Sequence, residues 1–419
     1  MNDPTLYQYN DTLLALLAGW PIESGAAWIR SVFIDKADRC GWAHLSTHDI
    51  PTVWGGTLDA LRGLLAAEMS PYDPLFRRGV DWLFSQQRPD GGWGSREITY
   101  SAVEATAWVV FVLRHAGFDV ASDERTRRAI LFLESAIGPG GELATSPQDH
   151  LDARTYPAHI TLLALHDLSP RAAAVARYLR DAQNDDGGWG IKENAPSNAL
   201  STAQVLDALL LTRHLNATGE SGIRALRWLS DSQQQNGSWL NFSEQWFSVN
   251  QPTVPNRCDS YTTASALRAL LHAGCSAFDQ RVLAGAAYLI REQDSEGCWY
   301  YNRPDGCKHV WCTADAIDAL AQVRDELKHH RDEVAAIVSA SPVIPQRSSR
   351  FALGLAVVFA IVAAIGFRRE VAAIVRAALV FLRLQASNLT VNLMASVIYA
   401  LAASLVVLLW RYVRAKGRA

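Results

Sequence analysis

The chain has 419 residues, of which 49% are hydrophobic and 19% charged, with a formal net charge of −3. That apolar content is too high for a disordered chain and enough for a sizeable core. Ten of the 39 Lys and Arg, but only one of the 42 Asp and Glu, lie from Gln346 onward. The region before Gln346 is therefore acidic, which argues against nucleic-acid binding, a property of basic faces.

From the N-terminus, Met1–Tyr9 is polar and lacks the basic start of a secretory signal. Two kinds of predicted helix then alternate. The first kind spans Ser24–Lys36, Leu75–Gln86, Glu124–Ala136, Arg171–Asn184, Ser221–Gln234 and Asp279–Gln293, and carries charge on one face. The second kind spans Thr52–Leu65, Ser101–His115, Pro157–Leu168, Ser197–His214, Ser260–Ala273 and Lys308–Arg324. It is nearly uncharged and apolar all round, as in Ala105 to Val112, and such a helix is buried. A Gly-rich turn joins each pair. Four of these turns read Asp90-Gly-Gly-Trp93, Asp186-Gly-Gly-Trp189, Asn236-Gly-Ser-Trp239 and Glu296-Gly-Cys-Trp299, each after a helix ending near Gln86, Gln183, Gln233 or Gln293. Cys40-Gly41-Trp42 and Gly140-Gly141-Glu142 are weaker copies. A period of about 50 residues means a repeat architecture. Six buried and six amphipathic helices predict two concentric rings, an all-α (α/α)6 barrel over residues 1–338. An open solenoid of helix pairs is the alternative.

The tail is hydrophobic. Residues 351–367 and 389–410 carry no charge and are long enough to cross a bilayer. Between them, 370–385 has apolar residues at helical spacing and reads as an interfacial amphipathic helix. The Pro-containing stretch 339–350 is the predicted linker. Arg411, Arg414, Lys416 and Arg418 follow the last span and favour the cytoplasm, so two spans place the barrel on the cytoplasmic side of the membrane. The six scattered cysteines are then expected as thiols.

The Gln and Gly-x-Trp stretches resemble the QW repeats of squalene and terpene cyclases and of protein prenyltransferase β subunits, over roughly residues 20–325. The resemblance implies that these Gln and Trp residues tie the helices together. It also implies an active site inside an aromatic cavity, at the mouth where the inner helices begin. Trp54, Tyr100, Tyr156, His159 and Trp311 are the expected substrate-binding wall there. Class II cyclases protonate an alkene with the middle Asp of Asp-x-Asp-Asp-Thr-Ala. The nearest segment is Asp259-Ser260-Tyr261-Thr262-Thr263-Ala264, which keeps the first acid and loses the later two. Glu104 holds the middle position in another repeat. Asp259, Glu104 and Tyr261 are the catalytic candidates, although a tyrosine is a weak acid. Protein prenyltransferases hold zinc through Asp, Cys and His. Asp259, His309 and Cys312 are the corresponding candidates, with Cys258 and Cys307 close in sequence. The same residues also have structural readings: Asp259 as a cap, Cys312 as core, His309 as a hydrogen-bond partner and Glu104 as a partner for Arg154.

Three functions remain open at this point. One is a membrane-anchored enzyme cyclising or transferring an isoprenoid or related lipid. The second is a barrel that binds a lipid or peptide without chemistry. The third is a membrane-bound scaffold for a protein partner. In all three the tail should act as an anchor. The full-length protein should stay with membranes through high-salt and carbonate washes and require detergent for release. Release by carbonate alone would refute the two spans.

Overall fold

The computed structural model describes residues 4–36, 39–94, 99–147, 152–240, 259–301 and 306–330, together with 334 and 337. Contacts divide the chain into Met1–Ser341 and Pro342–Ala419, and every described residue lies in the first unit. The predicted linker, both tail spans and the amphipathic segment lie outside the described residues. Among the described residues, no single helix is long and apolar enough to cross a membrane.

A short helix, α1 (Asn10–Ala18), precedes six helix pairs. These are α2 (Trp20–Ser31) with α3 (Leu58–Ala66), α4 (Pro74–Ser85) with α5 (Val103–His115), and α6 (Glu124–Ala136) with α7 (Thr155–Leu165). They continue with α8 (Ala172–Asp181) and α9 (Ala199–Leu211), α10 (Glu220–Asp231) and α11 (Asp259–His272), and α12 (Gln280–Glu292) and α13 (Val310–His329). The second helix of each pair packs on its counterparts before and after it, and α13 packs back on α3. The inner ring is closed, so the open solenoid is excluded. Every residue of α7 is buried, as an inner-ring position demands. Outer helices such as α8 bury one stripe, with Val175, Ala176 and Leu179 inward.

The turns explain why the pairs form. In four repeats the buried indole donates from Nε1 to a carbonyl ten residues back on its own outer helix. Trp93 reaches Leu83 at 2.6 Å, Trp189 reaches Leu179 at 2.6 Å, Trp239 reaches Leu229 at 2.7 Å and Trp299 reaches Leu289 at 2.8 Å. The backbone N–H of the same Trp donates to a threonine hydroxyl on its own inner helix: Thr106, Thr202, Thr263 or Thr313. Trp42 repeats the pattern with Ile29 and Thr57. Trp therefore joins the two helices within a repeat. The glutamines join one repeat to the next. Gln183 donates to Gly187 O and Ser221 O, Gln233 to Gly237 O and Arg281 O, and Gln293 to Gly297 O and Pro21 O.

Two expectations need correction. In the second repeat the joining residue is Gln87, which donates to Gly91 O at 2.8 Å and Arg125 O at 2.7 Å; Gln86 donates only to the neighbouring Ser85 hydroxyl. The pairing geometry puts the functional amide four residues before the turn carbonyl, and that position is 87. The first outer helix stops at Ser31 rather than Lys36, and Ile34–Lys36 pairs antiparallel with Arg39–Gly41. The Val32-Phe33-Ile34 run suits a strand better than a helix, and Phe33 packs 4.6 Å from Trp42.

The two glutamines give a sharp test. Gln87→Ala should cost about 1–3 kcal/mol, because two carbonyls lose their donor. Gln86→Ala should stay within about 0.5 kcal/mol. Trp93→Ala should cost about 3–5 kcal/mol. Urea unfolding of the three variants measures this ranking, and equal effects at 86 and 87 would contradict it.

Candidate active site

Every inner helix is reached from its outer partner through a turn at the same end of the ring. Their starts therefore gather at one mouth, with free N–H groups and partial positive charge. Two aromatic groups form there. In the first, Trp54 stands 6.4 Å from Tyr156, and Tyr156 stands 5.1 Å from His159. Trp108 Nε1 donates to the Tyr156 hydroxyl at 3.1 Å. In the second, Trp311 packs 4.9 Å from Tyr261 and 5.3 Å from Tyr301, and its Nε1 donates to His309 Nδ1 at 3.0 Å. Gln204 donates to the Tyr261 hydroxyl at 2.7 Å. Tyr100 lies beside Gly94, in the turn before α5 and outside both groups.

A break in the chain places Trp54. Residues 53–57 form one wide turn in which Trp54 is extended and Gly55 has a φ of 76°. A Cβ at Gly55 would lie 2.1 Å from His44 Nδ1, so only glycine fits. The helix predicted from Thr52 consequently starts at Leu58. Trp54 remains 38% exposed at the rim.

Glu104 is buried at the second position of α5. Burial raises its carboxyl to about 7; a hydrogen bond with Thr145 and the charge of Arg154 offset only part of that rise. It lies close enough to Tyr156 for its charge to raise the phenol further above its usual range, where burial already holds it. Burial likewise holds His159 down to about 4, so its imidazole is neutral.

The Asp259 segment is arranged differently from the expectation. Asp259 and Tyr261 lie roughly 200° apart around the helix. Tyr261 faces the ring interior. Asp259 lies beside Tyr288 of the outer helix α12, whose phenol is raised by burial and then by the Asp259 charge. His309 packs 4.9 Å from His44, and its imidazole is lowered to about 3 by burial and by His44 and His48. Cys312 is fully buried in the core. Among the described residues, no three His, Cys, Asp or Glu side chains gather as a metal site needs. Asp259, His309 and Cys312 thus do not fit a zinc ion, and Cys258 lies outside the described residues.

Sequence reasoning missed the charges on the axis, because the inner helices read as nearly uncharged. Arg62 Nη2 lies 2.9 Å from Asp315 and 3.4 Å from Asp59, and Nη1 lies 3.1 Å from Asp318. Arg268 Nη1 lies 2.9 Å from Asp315 and 3.3 Å from Asp318. Arg62 also lies over the Trp108 ring at 5.2 Å. The available signal was the i, i+3 spacing of Asp59 with Arg62, and of Asp315 with Asp318, on apolar helices. Beyond this cluster, toward the inner-helix ends, is a cavity of about 160 Å³. The cavity is continuous with the aromatic groups: Trp108, His159 and Gln204 line it together with Arg62, Arg268, Asp207 and Asp318.

The closed ring and its Gln and Trp ties define an α/α toroid of six helix pairs. Residues 57–242 match the family model of the prenyltransferase alpha-alpha toroid domain. The chain is similar to the squalene–hopene cyclase of Zymomonas mobilis subsp. mobilis, 23% identical over 267 residues, covering 60% of this chain and 36% of that protein. It is similar to the drimenyl diphosphate synthase of Streptomyces showdoensis, 27% identical over 225 residues, covering 52% of this chain and 38% of that protein. The chain thus spans little more than a third of the length of these relatives. Among solved structures, a type II terpene cyclase from Scytonema shares the fold, with a TM-score of 0.53 and 18% identity, covering 75% of this chain and 99% of that one.

The Glu104 carboxyl makes stability depend on pH. Its folded pKa, about 7, lies above the 4.5 of an ordinary glutamate. The favourable contribution is complete below about 4.5 and is lost as pH rises through 7. Glu104→Gln removes that loss. The stability of the variant relative to the parent should rise between pH 5 and pH 8 by about 2–3 kcal/mol. Denaturant unfolding across this range measures it, and a flat difference would mean that Glu104 ionises normally.

Proposed function

We propose that the barrel is a terpenoid cyclase-like or prenyltransferase-like domain that takes an isoprenoid or related lipid into its aromatic end. The carrying observation is Glu104, a buried carboxyl raised to about 7 beside the Tyr156, Trp54 and Trp108 group. At neutral pH a large share of it is protonated, the form a general acid needs. Proton transfer to an alkene carbon would leave a carbocation. Aromatic faces stabilise such a cation; attack on it by the π pair of a second alkene in the same chain would close a ring and move the cation, and loss of a proton from a neighbouring carbon would complete an isomerising cyclisation. The hydrophobic tail is proposed to hold the barrel at the cytoplasmic face of a membrane, where such substrates dissolve.

A second reading rests on one specific observation. Tyr261 occupies the inward position of the Asp259 segment, and Asp259 lies beside the outer helix instead. Without the acid pair, the barrel would bind a lipid and leave it unchanged. The test is to identify lipids that co-purify with the detergent-extracted protein by mass spectrometry, then to supply squalene and linear polyprenyl diphosphates. An enzyme should yield a product of unchanged mass and altered retention, and Glu104→Gln should abolish turnover while retaining the lipid. A binding barrel should retain lipid with no turnover in either form. No retained lipid and no turnover would refute both.

A further inference from the structure

A cyclisation that begins with a proton from Glu104 has to end by giving one up, and the cavity wall offers few lone pairs that can take it. Burial would raise Asp318, but Arg268 and Arg62 outweigh it and hold the carboxyl below its usual range. Asp207 is bonded to His272 at 2.5 Å; burial lowers that imidazole, and the Asp207 contact more than restores it. Gln204 and Gln322 carry amides, which are not basic. His115 Nδ1 is bonded to Phe111 O at 3.0 Å.

His159 differs from these. It is only 3% exposed, lines the cavity beside Trp108 and stands 5.1 Å from Tyr156. Burial holds its imidazole at about 4, against smaller pulls from the Thr155 backbone, Asp207 and the Tyr156 backbone. Among the described residues, none makes a hydrogen bond to its Nδ1. The ring is neutral at pH 7, and a neutral imidazole keeps one nitrogen lone pair as an acceptor.

Its place along the axis suits the end of a reaction that starts at Glu104. Glu104 and Tyr156 hold the second positions of the neighbouring inner helices α5 and α7. His159 comes three residues after Tyr156, about 4.5 Å deeper. Trp108 comes four residues after Glu104 on the same face of α5, and its Nε1 donates to the Tyr156 hydroxyl. A cation formed beside Glu104 thus has the Tyr156 and Trp108 rings along its way to His159.

We propose that His159 is the base that ends the cyclisation, taking the proton from the carbon next to the final cation. The assignment rests on the isoprenoid-cyclising reading, with Glu104 as the acid. The Glu104 O–H bond breaks and its proton goes to an alkene carbon. After ring closure a C–H bond beside the cation breaks. Its electron pair becomes the new C=C bond, and its proton goes to the imidazole lone pair. The net change in the protein is one proton moved from Glu104 to His159. With His159 at about 4 and Glu104 at about 7, that proton returns to the carboxylate downhill, by about a thousandfold. Substrate and product are isomers, so no other reactant is needed.

The full-length protein in detergent, supplied with squalene and linear polyprenyl diphosphates, tests this by product analysis. The parent should give an alkene of unchanged mass. His159→Phe keeps a ring on the wall and removes the lone pair. It should lower that alkene at least tenfold and give in its place an alcohol, heavier by one water, or other double-bond isomers. His159→Ala is the second variant. Leu211, at the cavity edge, is 42% exposed, and the cavity of about 160 Å³ has room for a small ring. Added imidazole should restore the parent alkene to His159→Ala, and pyrrole, which has no basic lone pair, should not. An unchanged product from either variant would overturn the base assignment and leave the cyclase reading standing. So would equal rescue by imidazole and pyrrole, or a folded His159→Phe that forms no product of any kind. A parent that converts none of these substrates would overturn both.

Discussion

A ring of helix pairs has no end caps, so its stability depends on joining the last repeat to the first. Solenoid repeats need polar terminal units to cover exposed faces; a closed ring must instead satisfy one seam between units far apart in sequence. Here the seam lies between α12–α13 and α2–α3. The Gln293 amide, which in an internal repeat would reach the next outer helix, reaches Pro21 O at 2.8 Å. On the inner side, Asp315 and Asp318 of α13 take Arg62 from α3 and Arg268 from α11. The helix α1 packs on α2, α12 and α13, across the outside of the same seam. Three elements thus hold the closure from its outer, inner and N-terminal sides.

The inner clasp has a cost that the outer one does not. A buried ion pair recovers its desolvation only when its geometry is good, and apolar residues of similar volume often serve stability as well or better. The amide ties at the rim satisfy carbonyls that would otherwise lose their partners, with no charge to desolvate. Charges on the axis therefore do more than hold the seam. They line one cavity together with Trp108, His159 and Gln204, so the charged cluster and the aromatic groups share a wall: Arg62 lies over Trp108, whose Nε1–H reaches Tyr156.

The architecture was legible because its determinants are local and repeated. Gly91, Gly187, Gly237 and Gly297 have φ between 90° and 96°, and a Cβ at any of them would strike the backbone of the next outer helix. A turn of that kind recurs in the sequence as a fixed string. The break at Trp54 was not legible, since its cause is His44 packed on Gly55 across a loop. The choice between Gln86 and Gln87 turned on a carbonyl of another repeat, at Arg125. The helix α1 was missed because it is only nine residues long, stands outside the repeat, and packs largely on α12 and α13, some 270 to 300 residues away.

The site was half legible for a related reason. Residue type and repeat position brought Trp54, Tyr156, His159, Tyr261 and Trp311 to the inner-helix starts, where aromatic groups form. Side-chain direction was not in the pattern. Two residues of separation turn Asp259 toward Tyr288 while Tyr261 turns inward. The alignment of a motif fixes its place along a helix, but the helical rotation decides which of its members reaches the cavity. Glu104 shows the converse. It matches the acid motif only in the position it holds in its repeat, yet its burial in α5 leaves it near 7, while the better-matched Asp259 lies beside Tyr288 of the outer helix. In this ring the chemistry available at the mouth follows from burial and rotation more than from the motif that first drew attention to it.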